Sequence, residues 1–181
     1  MIERLAGALD GVAGFCGRAA AWSGLALVLV MAGNVLMRYA FHTGSVAMQE
    51  LEWHLMSPLA LLCIAYAIQH DGHVRVDILY GRMSERAQQA VELVSCLLAL
   101  ALCVLIVKLS IPYAMQSYNI GEQSSDPGGL THRYLLKAMI PLGFAILGLQ
   151  SLASVLRALR PFIGAPKRDA GTDSRDRHAA Q

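Results

Sequence analysis

The sequence predicts an all-α integral membrane protein of four transmembrane helices, with both termini cytoplasmic and an N-terminal amphipathic helix lying in the membrane interface. Three observations carry that expectation. Of the 181 residues, 55% are hydrophobic and only 15% charged, against about 25% charged in a soluble domain. Four apolar runs each have the length that crosses hydrocarbon. The basic residues gather on one side of the topology those runs imply.

Residues 1–18 place Ile2, Leu5, Leu9 and Val12 at helical spacing, with Glu3, Arg4, Asp10 and Arg18 between them. That is the pattern of a helix lying in the interface. The apolar run that follows exceeds the roughly 7–15 residues of a signal-peptide core, and no small-residue cleavage site follows it. The N-terminus is therefore expected to remain in the mature protein. The first span covers about 19–38. Ala19 to Met37 contains no charged residue, and its helix would rise about 28 Å against a hydrocarbon core of roughly 30 Å.

His42-Thr43-Gly44-Ser45 breaks the helix, and Ser45 is suited to cap the next. The second span covers about 53–70, with a kink expected at Pro58. A short polar connection follows, with Gly72 and Gly81 as breakers and Ser84 as a cap. The third span covers about 93–113. Lys108 belongs in its outer part, because charge at mid-bilayer is costly and a long stem can reach towards water. Asn119 to Arg133 is rich in turn residues, and the fourth span covers about 138–156. Residues 159–181 carry Pro161, Gly164, Pro166 and mixed charges, the composition of a disordered cytoplasmic tail.

An even number of spans places both termini beside the middle connection. That side holds Arg4, Arg18, Arg75, Arg82, Arg86, Arg157, Arg160, Lys167, Arg168, Arg175 and Arg177, eleven of the fifteen basic residues. The other holds Arg38, Lys108, Arg133 and Lys137. The positive-inside rule makes the first side cytoplasmic. Tyr39, Phe41, Trp53, Tyr113, Tyr118 and Tyr134 all fall at the outer ends, as an interfacial aromatic belt requires.

The chemistry is sparse. A net charge of +2 and the absence of a recognition motif argue against nucleic acid. No ionisable group lies near a span centre, where a self-sufficient transporter carries one. Asn34 and Gln150 read as interhelical hydrogen-bonding groups. The cysteines read as small hydrophobes. A haem-bearing membrane anchor of a redox complex is an alternative, but it needs histidines on facing helices. His54, His70 and His73 all come from the second helix or its exits, leaving only His42 and His132 in outer loops as partners. His70 and His73 could share a metal with Asp71 or Asp77, although a solvated turn explains that cluster more simply. No nucleophile, phosphate loop or carboxylate pair is present, so neither an enzyme nor a cofactor is expected. Glu50 and Glu52 suit a helix start, and Arg75 and Asp77 alternate with Val74 and Val76 as a solvated loop would. Both groups also suit docking edges. Four apolar helices without a site of their own point to an accessory or scaffold subunit, with a freestanding small transporter as a further alternative.

The run Asn34-Val35-Leu36-Met37-Arg38-Tyr39-Ala40-Phe41, then Glu50-Leu51, Ala65-Tyr66-Ala67 and His73-Val74-Arg75-Val76-Asp77, resembles the small membrane subunit of tripartite ATP-independent periplasmic (TRAP) transporters. Glu122-Gln123-Ser124-Ser125-Asp126-Pro127-Gly128-Gly129, followed by Pro141-Leu142-Gly143-Phe144, is similar to the same family. The likeness covers about residues 10–158. It implies a bacterial inner-membrane complex in which a periplasmic solute-binding protein delivers an organic acid or related solute. A large multi-span membrane subunit then moves the solute with a cation gradient, and the small subunit braces it. The resemblance makes Asn34, Arg38, Tyr39, Glu50, His73, Arg75 and Asp77 candidate partner-interface residues, and Glu52 and Trp53 join them by their place beside Glu50 at the outer end of the second span.

Overall fold

In hydrocarbon every backbone amide must find its partner within the segment, so a chain this apolar is confined to helices wherever it crosses. The computed structural model describes residues 2–70, 80 and 83–159, and for residues 2–5 the backbone alone. It contains α1 (Ile2–Ala40), α2 (Val46–Gln69), α3 (Glu85–Asn119) and α4 (Tyr134–Ala158). All four have the length and hydropathy of membrane spans. The expected tail, and the candidates His73, Arg75 and Asp77, lie outside the described residues.

Local signals in the sequence explain the helix starts. Ser45 caps α2 by accepting the Met48 amide at 3.4 Å, and Ser84 caps α3 by accepting that of Ala87 at 3.4 Å. Pro58, Pro112 and Pro141 sit inside helices that continue past them. Two helices are longer than the apolar runs within them. The boundary expected near residue 18 coincides with no break, since α1 is continuous over 39 residues. Likewise α3 extends over 35 residues, beginning before and ending after the expected 93–113. Hydropathy marks where a helix meets lipid, whereas backbone hydrogen bonding carries the helix on into polar sequence until a breaker stops it.

The helices form two antiparallel hairpins joined through α4. Within the first, Gly17 faces Tyr66 so closely that a β-carbon would fall 2.5 Å from the Tyr66 Cβ, and Gly24 lies against Leu59. In the second, Gly148 lies against Cys103, where a β-carbon would come within 3.3 Å of the Cys103 Cβ. Between the hairpins, a β-carbon on Gly143 would fall 2.6 Å from the Leu61 Cβ. Small residues line the seams because membrane helices associate by close packing and not by expelling water. Ala6, Ala13 and Ala20 recur every seven residues as one buried row on α1, and Cys103, Ser110 and Ser117 do the same on α3. The core lies among Ala13, Ala65 and Ile146, on α1, α2 and α4. α3 stands to one side, packed chiefly on α4.

Ionic pairs close both ends of α4. At its start Lys137 bonds Glu122, and at its end Arg157 bonds Asp10 of α1. The twenty residue steps from Lys137 to Arg157 rise about 30 Å, the thickness of the hydrocarbon layer.

Candidate functional site

The hairpin tips meet at one end of the molecule, where α1 and α3 finish and α2 and α4 begin. Glu50, in the first turns of α2, reaches across to the 120–133 loop. Its carboxylate accepts the Leu130 amide at 2.6 Å and the Ser124 hydroxyl. The Ser124 Oγ in turn accepts the Asp126 amide at 3.2 Å. The loop is cross-tied by the Ser124 amide to the Leu130 carbonyl at 3.1 Å and the Gly129 amide to the Asp126 carbonyl at 3.0 Å. Gly128 adopts φ +81°, which favours glycine. A β-carbon on Gly129 would fall 2.5 Å from the Ser124 Cβ and 2.9 Å from a Glu50 carboxylate oxygen. The turn-rich run is thus a receptor built around one carboxylate.

A second tie lies beside it. Lys137 bonds Glu122 and sits 4.3 Å from the centre of the Tyr113 ring. The Lys137 ammonium holds the Glu122 carboxyl below its usual range. Tyr118 and Tyr134 meet edge-to-face with centroids 5.1 Å apart. Around this girdle lie two half-open hollows that share Arg133 and Leu136. One, of about 290 Å³, is bounded by Glu50, Trp53 and His54; the other, of about 510 Å³, by Ser57, Tyr113, Glu122 and Lys137.

The structure separates the sequence candidates into two groups. Glu50 is bound to the loop, and Asn34 donates to Glu52 at 3.2 Å across the α1–α2 hairpin. Arg38, Tyr39 and Trp53 point outwards, with Tyr39 and Trp53 respectively 72% and 69% exposed and Arg38 stacked 5.5 Å over Tyr39. Gln150 also bonds between helices, donating to Asp10 at 3.0 Å. His54 and His70 turn Nδ1 back onto carbonyls of their own helix, at 2.8 Å from Glu50 O and 2.9 Å from Tyr66 O. Among the described residues no group of three histidine, cysteine or acidic side chains could hold a metal. The Glu122–Lys137 and Asp10–Arg157 pairs were not legible in the sequence, because each joins residues from separate elements.

The model of the DctQ component of tripartite ATP-independent periplasmic transporters matches residues 27–161. That stretch holds α2, α3 and α4 whole and the C-terminal part of α1 from residue 27 on, well over half the chain. The chain belongs to this family. It is accordingly a multi-pass transport protein of the TRAP small-permease type, and not an enzyme. A TRAP transporter small permease protein of Haemophilus influenzae is 29% identical over 55% of this chain and 62% of its own length. The C4-dicarboxylate small permease DctQ of Pseudomonas aeruginosa is 27% identical over 62% of this chain and 57% of its own. The ectoine small permease TeaB of Halomonas elongata is 25% identical over 73% and 69%. The chain thus spans about three fifths of the first two relatives' length. Within the matched stretch, Glu50 and the 124–130 loop, far apart in the chain, are the two halves of one clamp.

Proposed function

We propose that this DctQ-family protein is the scaffold subunit of a TRAP-type secondary transporter in a bacterial inner membrane. It braces the large membrane subunit while that subunit carries out cation-coupled, binding-protein-dependent uptake of an organic acid. The observation that carries this reading is the contrast between ends and middle. Both ends of α4 are closed by ionic pairs, while the seams between them are filled by glycine, alanine, serine and cysteine. Such a body resists deformation and offers a solute no charged site within its own core.

Both termini face the cytoplasm in this reading, following the basic-residue asymmetry, and the Glu50 clamp faces the periplasm. Glu50, Asn34 and Glu52 act by fixing the shape of that end. The outward-pointing Arg38, Tyr39 and Trp53 meet the large subunit or the arriving solute-binding protein. His73, Arg75 and Asp77 form a second fastening on the cytoplasmic side. The organic-acid assignment rests on the resemblance and on the C4-dicarboxylate relative; the ectoine relative keeps the solute class wider than dicarboxylates.

Uptake in proteoliposomes tests the role. Large subunit, binding protein and a cation gradient should give uptake only when this chain is present, and this chain alone should give none. Full uptake by the large subunit and binding protein without it would overturn the scaffold reading.

A further inference from the structure

The cation of Lys108 has no acidic counterpart among the described residues. Lys108 is exposed on α3, and no described residue forms an ion pair with it. It lies 140–160° around the helix from Cys103 and Ser110, by about 100° per residue, so it points away from the buried seam with α4. Its neighbours on that face are Val104, Leu105 and Ile111, all about half exposed or more, and none is acidic.

Depth decides what can meet this charge. Tyr113 and Lys137 mark the interface, and Lys108 lies five residues below Tyr113, about 7.5 Å into the hydrocarbon. A lysine stem spans only about 6 Å. The nearer water lies towards the C-terminus of α3, whereas side chains on a helix lean towards its N-terminus. Lys108 therefore falls short of a lipid phosphate, and its charge calls for an acceptor at its own depth. α3 is packed on one neighbour only along most of its length, which leaves this face open to another helix.

We propose that the Lys108 face of α3 is a docking surface for a transmembrane helix of the large subunit, one that carries a carboxylate about 7.5 Å below the periplasmic interface. This rests on the scaffold reading above and identifies the surface through which the bracing acts. The carboxylate neutralises Lys108, and the flanking apolar side chains pack against the incoming helix.

Photo-crosslinking in the intact complex tests the surface, and charge substitution tests the pairing. A benzophenone amino acid at Val104 or Met115 should give an adduct with the large subunit on illumination. Lys108→Glu should lower the amount of large subunit copurified about tenfold or more, while Lys108→Arg retains it. If Lys108→Glu fails to accumulate in the membrane, Lys108→Met takes its place, with the same loss expected. Absence of adducts from a complex that does copurify overturns the docking surface alone. Adducts combined with wild-type copurification of the charge variants overturn the carboxylate. Failure of the unmodified chain to copurify instead removes the scaffold reading, and the docking surface with it.

Discussion

Glu50 and Gly129 work as lock and keyway. The carboxylate takes a hydroxyl and an amide from a loop 74 to 80 positions further along the chain, and the missing side chain at Gly129 lets it enter. Glu50→Ala and Gly129→Ala should therefore have the same consequence by different means. Hydrogen exchange at residues 124–130 should accelerate several-fold in each, with helix content unchanged; slow exchange in Gly129→Ala would contradict the close fit. Glu122 adds a pH dependence. Its carboxyl is held below the ordinary value of 4.5 by Lys137, so the stability it contributes is present above that value and is lost as pH falls through the lower folded value. The loop should thus loosen on acidification below about pH 4.5, and Lys137→Met should flatten the response. The Ser45 and Ser84 caps were legible in the sequence because a cap and its amide are three residues apart. The partner of Glu50 was not, because only the tertiary fold brings residues 50 and 124–130 together.

At the scale of helices, glycine position separates packing from propensity. Gly143→Ala would drive a β-carbon to 2.6 Å from the Leu61 Cβ, and overpacking of this kind costs about 1–3 kcal/mol. Gly11→Ala meets nothing within 4 Å, so it should be neutral or stabilise by up to about 1 kcal/mol through helix propensity. Thermal unfolding in detergent should rank the two in that order; equal melting temperatures would show that the α2–α4 contact is not close. The four spans could be read from hydropathy, since each apolar run is long enough to cross. Helix ends could not be read the same way. α1 begins well before its apolar run and continues through Gly14 and Gly17, which lie against Gln69 and Tyr66 of α2.

For the molecule as a whole, topology and assembly are separable questions. The positive-inside asymmetry predicts that a cysteine at Ser125, in an otherwise cysteine-free variant, is labelled in intact cells by a membrane-impermeant maleimide. One at Ser84 should be labelled only after lysis, and the reverse pattern would invert the topology. Assembly bears on the central claim, that this chain is a brace for a larger partner. Affinity purification from cells that also express a large TRAP permease, in mild detergent, is its most direct test. The account predicts that the permease is retained through size-exclusion chromatography as one complex with this chain. Elution of this chain alone, beside intact permease from the same membranes, would contradict it.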